Sequence, residues 1–550
     1  MVRYIRWQAI IAVVGVILVV VLLGYVAYTT TTVIVPDVGG TYVEGIAGFP
    51  SYINPILCQY NQVDNDLVSL IFSGLTDINE RGEIVPDLAR DWDVSDEGLV
   101  YTFYLRRDVL WHDGEHFTAD DVLFTIEAIQ DEDYQGATDL AELWRTVVVE
   151  KINDYTLSFT LQAPLAVFLD YTTIGILPRH LLTDVPASEL PNDQFNIRPV
   201  GTGMFKIGEV SLEHVILEAN PNYYGEEPLL SRIQFKFYPD YQSIFTAYQQ
   251  GEVMGISQVL PEDLPQVRRE EHLNLYSASL SGYTVVFLNL DRAMFEEKEV
   301  RQALLWAIDR QRIIDQILDG QGVVAHSPIM PNSWAYNENV FQYDIDPSRA
   351  RELLTDAGWV HEDNDGVREK GDTPLGFVLL TNMDPLRRRM VEEIARQLWD
   401  VGIRVTPEVK EISAVVNDNL RPREFDALLY SFRNLPRDPD PYLMWHSEQI
   451  GGDGQNYAGL ANVDIDQLLE QARQSNDQGE RAELYRDFQD LFAEEVPSLL
   501  LYYPIYNYAV DEMVSGAQLS PMMDPSDRFR TIAQWYIKTR RVMVSEAGEE

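Results

Sequence analysis

The residues Ala9 to Ala27, AIIAVVGVILVVVLLGYVA, are apolar throughout. As a helix these nineteen residues span about 28 Å at roughly 1.5 Å each, close to the hydrocarbon core of a bilayer. Arg3 and Arg6 are the only charged side chains before Asp37, and two cations ahead of such a run favour a cytoplasmic N-terminus with the remainder outside. Cleavage after Ala27 would place Tyr25 at the −3 position, where a small residue is needed. The sequence therefore predicts an uncleaved anchor (signal segment) over residues 1–28, followed by a tether over 29–40.

Beyond the leader the chain is acidic. It has 550 residues in all, with 42 Lys+Arg against 87 Asp+Glu and a formal charge of −45. The acids are spread along the chain, as on a solvated globular surface, and such a surface repels phosphate backbones, so nucleic acid is excluded as a partner. Hydrophobic residues make up 46%, enough for large cores and more than one domain. Cys58 is the sole cysteine; it reads as a small buried hydrophobe rather than a nucleophile, and no Cys-x-x-Cys pair exists to hold zinc.

Periodicity gives a mixed α/β chain. VYTFYL (Val100–Leu105) alternates like a half-buried strand, Asp113-Gly114 is a turn signal, and Thr118 with Asp121 resembles a capping box for ADDVLFTIEAI. On this reading His112 and Asp113 are turn residues. EKEVRQALLWAIDRQRIIDQILDG, ending at Gly320, keeps helical spacing throughout. LGFVLLTN, PLRRRMVEEIARQLWDVG, IRVTPEVKE and EFDALLYSFRN form a strand–helix–strand–strand series, which predicts a lobe with a largely parallel core.

Catalytic signatures are absent: there is no Gly-x-Ser-x-Gly elbow, no His-Glu-x-x-His and no Walker-type loop. Asp120-Asp121 is a poor acid–base pair, because adjacent helix residues point in different directions. HEDNDGVREKGD (His361–Asp372) lacks the acid at the first position and the Glu at the twelfth of a calcium loop, so an acidic hairpin is expected there, and no metal. The richest segment is YSFRNLPRDPDPYLMWHSEQIGGDGQNYAGL. Ligands gather beyond the carboxyl ends of strands in an open α/β lobe. Arg433, Asn434 and Arg437 would fix a polar ligand between Phe432, Tyr442, Trp445 and Tyr457; alternatively this is a surface loop whose arginines pair with its own Asp438 and Asp440.

Between about Gly48 and Asp511 the chain carries, in order, NPILCQYNQVDNDLVSLIFSGLTDIN, PDLARDWDVSDEGLVYTFYLRRDVLWHDGEHFTADDVLFTIEAI, VGTGMFKIGEV, NYYGEEPLLSRIQFKFYPD, QQGEVMGI, VRQALLWAIDRQRII and DPSRARELLTDAGW. In these it resembles the extracytoplasmic solute-binding proteins of ABC importers, of the dipeptide, oligopeptide and nickel-binding family (solute-binding protein family 5). The resemblance implies a bilobal type II (Venus-flytrap) periplasmic-binding-protein fold, α/β, with an extra inserted domain, here preceded by the transmembrane helix. It divides the chain into lobe I (41–74, 199–288 and 505–537), the insert (75–198), lobe II (289–504) and a flexible tail (538–550). The function implied is capture of a peptide or similar small polar solute between the lobes and delivery to permease subunits in the membrane, with no enzymatic activity and no cofactor. The protein would be an anchored, extracytoplasmic bacterial monomer; the alternatives are a ligand-sensing ectodomain or a binder of oligosaccharides or carboxylates. The ligand-binding candidates are Tyr52, Tyr283, Phe432, Arg433, Asn434, Arg437, Trp445 and Tyr457. The insert, including Ser73–Ile129, is expected to be framework away from the ligand. In peptide-binding members an aspartate three residues before an Asp-Pro pair holds the ligand's amino group; placing that pair on Asp438-Pro439 puts Leu435 there. Leucine cannot pair with an ammonium, and Arg433 and Arg437 would instead favour a carboxylate or hydroxyl-rich ligand.

Overall fold

One strand of 14 residues, Ser498–Asp511, belongs to both lobes. In the computed structural model, which describes residues 2–544 apart from 81, 97, 166, 362–364, 434, 436, 437, 453, 476 and 521, its first half pairs antiparallel with Gly282–Leu288 and its second half with Leu273–Ser279. It is the shared member of a 12-stranded sheet. On one side lie Gly255–Ile256, Thr41–Ala47, Arg232–Tyr238, His214–Ala219 and Phe205–Val210; on the other lie Gly282–Leu288, Ala427–Arg433, Gly376–Asn382 and Arg404–Lys410. The expected strand–helix–strand unit is present: Gly376–Asn382 and Arg404–Lys410 are parallel, joined through the helix Pro385–Trp399. Asp384 caps that helix by accepting from the Arg387 N–H, and Pro385 opens it where its missing N–H costs nothing. Met390, Val391, Ile394 and Leu398 are buried along one face. The lobe as a whole is mixed rather than largely parallel, because Gly282–Leu288 runs antiparallel to both neighbours.

The first crossing between lobes lies at Ser279–Gly282, ahead of the boundary expected at 288. Tyr283, Val285 and Phe287 pack into the core of the second lobe, which draws their strand to that side. Gly282 has φ of 139°, and a Cβ there would stand 2.3 Å from the Phe432 carbonyl oxygen, so only glycine lets the two strands approach. The long helix expected over 297–320 is two, Lys298–Ala307 and Arg310–Ile317. Asp309 breaks it by accepting from the Arg312 N–H at 2.8 Å, a new N-cap.

Residues 89–160 form a separate four-stranded antiparallel sheet, Ala89–Val94, Val100–Leu105, Thr156–Thr160 and Val148–Asn153. Helix Ala119–Gln130 packs against it over buried Phe103, Val122 and Phe159, and Asp121 accepts from the Thr118 N–H at 2.9 Å. His112 donates from Nε2 to the Gly203 carbonyl at 3.0 Å and accepts the Gly201 N–H on Nδ1 at 3.1 Å. Burial lowers its pKa to about 4, so the neutral ring is a clamp between segments. Cys58 is buried, its thiol pushed up to about 12 by burial, which keeps it protonated. In 361–372, Asp365 pairs with Arg404 at 2.7 Å and Glu369–Lys370 pairs with Thr373–Pro374; Asp363 is outside the described residues.

The leader is helical over Val2–Thr31. Among the described residues no helix is long and apolar enough to cross a membrane. The transmembrane helix expected from the sequence is thus not shown. Part of the tether and part of the tail are paired: Thr32–Asp37 and Lys538–Met543 run antiparallel across six registers, and Val33, Val35 and Val542 make both segments strand formers.

Candidate functional site

A cavity of about 610 Å³ opens between the lobes, within the roughly 300–1,000 Å³ typical of small-ligand sites. One wall is the ribbon Thr76–Ile78 and Ile84–Pro86, whose turn brings Glu80, Glu83 and Ile84 to the cavity beside Leu169 and Asp170. The facing wall comes from the second lobe: segment 328–334 with Trp334, and the loop 435–444 after strand Ala427–Arg433. Ser281, Met522 and Met523 close the floor at the crossing. The Ser281 N–H donates to the Met522 carbonyl at 2.6 Å and its hydroxyl to the Leu435 carbonyl at 3.0 Å. The crossing is therefore tied to both the C-terminal return and the loop.

The loop is held from behind by two ion pairs. Arg481, on helix Gln478–Glu495, grips Asp438 with two donors at 2.6 and 2.5 Å. Its guanidinium lies 5.2 Å from the centre of the Trp334 ring and donates to Ala472 O at 3.0 Å, so one buried cation fixes both parts of that wall. Arg473, on helix Val463–Gln474, donates to Asp440 at 2.6 Å and stacks 3.8 Å over Tyr442. The loop's acids are thus paired with helix arginines, Asp438 with Arg481 and Asp440 with Arg473. Among the described lining residues are five carboxylates, Glu80, Glu83, Asp170, Asp438 and Asp440, and no Lys or Arg; Arg81 and Arg437 lie outside the described residues. Such a lining favours groups that bring hydrogen-bond donors or positive charge.

Four candidates from the sequence do come together, as core. Tyr283 and Phe432 meet at 5.4 Å, and Phe287 touches Phe432, Trp445 and Tyr457 at 5.7, 6.2 and 5.5 Å. Tyr283 and Trp445 are fully buried and Phe432 nearly so, with Tyr457 packed against them. None lines the cavity; they support it from beneath. Burial raises the Tyr283 phenol well above its usual range, so its hydroxyl stays protonated and donates to Met444 Sδ at 3.6 Å, and Met444 does line the cavity. Arg433 is exposed at the strand end and Tyr52 is exposed on the first lobe, its N–H given to Asp64 at 2.8 Å; neither lines the cavity. Asn434 and Arg437 fall outside the described residues. Leu435 lines the cavity, an apolar group where an amino anchor was looked for. The insert is not framework alone, since Glu80, Glu83 and Ile84 contribute a wall. Those residues were missed, as was segment 328–334, whose proline-flanked tryptophan in PIMPNSW was the available signal.

Comparison with known proteins agrees with this geometry. The family described as "Bacterial extracellular solute-binding proteins, family 5 Middle" matches residues 83–453. The chain is 31% identical over 513 residues to the oligopeptide-binding protein AppA of Bacillus subtilis (strain 168), covering 91% of this chain and 92% of that one. The solved structure of AppA from Bacillus subtilis in complex with a nonapeptide is 30% identical with a TM-score of 0.72, covering 92% of this chain and 100% of that chain. NikZ from Campylobacter jejuni in complex with Ni(L-His) gives 28% identity and a TM-score of 0.72, covering 90% and 99%. With a cleft between two lobes that share the strand Ser498–Asp511, and a family match over more than half its length, this chain belongs to the family 5 extracellular solute-binding proteins, the binding components of ABC importers.

Proposed function

We propose that the cavity captures a short peptide and that closure of the two lobes presents it to a membrane permease. The observation that carries this reading is the lining: both lobes contribute, and its described polar groups are carboxylates, amides and hydroxyls. With Leu435 in the loop, the ligand's amino group is met by the carboxylates of the lining, among them Glu80, Glu83 and Asp170 on the wall opposite. The binding of a nonapeptide by AppA supports a peptide here too. Closure is driven only by the ligand's greater affinity for the closed state, and the chemistry is capture without bond breaking. The leader supports anchoring outside the cytoplasmic membrane: Ala9–Ala27 is apolar and lies within the helix Val2–Thr31. An anchor raises the effective concentration of the binder at its permease.

Native mass spectrometry of the full chain against mixed pools of peptides, oligosaccharides and metal chelates tests the reading. Peptides are expected to be retained, at unchanged mass. Retention of only sugars or chelates, or recovery of cleaved peptide, overturns it.

A further inference from the structure

Four of the residues lining the cavity are methionines, Met330, Met444, Met522 and Met523, out of 12 in the whole chain. They come from three separate segments and from both lobes. Met522 belongs to the core of the first lobe, while Met330 and Met444 belong to a core of the second. Each of these three is less than a tenth exposed, packed on its inner side and bordering the cavity on the other. Leu435, Ile84 and Leu169 extend the same apolar lining. An unbranched thioether has several rotamers of similar energy and a polarizable sulfur, so it refits around apolar groups of different shape; surfaces built this way accept several partners without favouring one.

We propose that these methionines form a subsite for one large apolar side chain of the ligand, accepting Leu, Met and Phe nearly alike and rejecting carboxylates. The proposal rests on the peptide reading above. A carboxylate placed there would lose its hydration against thioethers and share the cavity with Glu80, Glu83 and Asp170.

Calorimetric titration of the full chain with short Ala-rich peptides, carrying one residue X at each position in turn, decides the matter. At one position, X as Leu, Met or Phe is expected to bind within about threefold of each other and about tenfold or more tighter than Gly, since each buried methylene adds to affinity. X as Asp is expected to be at least about thirtyfold weaker than Leu. In Met330→Gln/Met444→Gln, which keeps side-chain length but adds an amide, the preference for Leu over Gly falls to about threefold or less. Met330→Leu/Met444→Leu retains the preference. If the glutamine pair fails to fold, Met523→Gln, at a half-buried position, is expected to lower the same preference by about threefold. Binding of no peptide in the series overturns the peptide reading itself. Peptides that bind equally well with Asp as with Leu, or an apolar preference unmoved in the glutamine variants, overturn the subsite and leave the peptide reading standing.

Discussion

Arg528→Met is expected to destabilise the first lobe by about 3–5 kcal/mol, the cost of removing one partner from a fully buried ionic cluster. Arg528 is 0% exposed, as are Glu44 and Asp66. Its guanidinium donates to both oxygens of Asp66 at 2.7 and 2.6 Å and to Glu44 at 3.0 Å. Tyr508 donates to the other oxygen of Glu44 at 2.9 Å, and Tyr42 bonds the same oxygen. Burial raises the Glu44 carboxyl and Arg528 opposes that rise. Without the cation, two carboxylates share a dry site with only two hydroxyls and the Gln62 amide to meet them. For a lobe of this size the loss corresponds to roughly 10–15 °C in the melting of the first lobe, at about 2.1 cal/mol/K per residue. The triple variant with Glu44→Gln and Asp66→Asn added is expected to recover most of it, because the charges are then removed together. A single variant that melts within about 1 °C of the parent would show the cluster to be dispensable.

Asp438→Ala is expected to cost both stability and binding. It leaves Arg481, 7% exposed at its side chain, charged and without its carboxylate, again about 3–5 kcal/mol. It also frees the loop 435–444 from the helix that positions it, and the guanidinium against the Trp334 ring loses its carboxylate anchor. Peptide affinity is therefore expected to fall by about a hundredfold or more, as when a supporting contact shifts a binding wall by an ångström. Asp440→Asn is the internal comparison. Arg473 is 32% exposed, solvent takes over much of the pair's role, and the expected cost is about 1 kcal/mol with affinity nearly intact. Denaturant titration and calorimetry on both variants read the contrast; equal losses would mean that burial does not set the worth of these pairs.

Much of the scaffold was legible because periodicity and capping are local. The alternation of Val100–Leu105 and the stripe Met390–Ile394–Leu398 need no partner to be seen, and the ordered motifs from Gly48 onward identified the family. The cavity was far less legible. Its lining is assembled from 80–84, 328–334, 435–444 and 522–523, mostly loop residues with no shared period, and only the completed fold brings them together. Tyr283, Phe432 and Trp445 were read as ligand walls since they flank a polar loop. Ala427–Arg433 lies between Gly282–Leu288 and Gly376–Asn382 in the sheet, both of its faces are covered, and its aromatics are buried instead. The pairing of Thr32–Asp37 with Lys538–Met543 spans nearly the whole chain, a distance over which sequence pattern carries no register.

The strand that hinges the two lobes also sets a timetable. In the first lobe, Thr41–Ala47, Gly255–Ile256 and Leu273–Ser279 are made early, yet the strand that joins them, Ser498–Asp511, comes near the end of the chain. Arg528, which neutralises Glu44 and Asp66, comes later still. Contacts of such long sequence separation form slowly, and a domain whose central strand is missing stays open. The first lobe therefore cannot close until the segment 498–528 has been delivered.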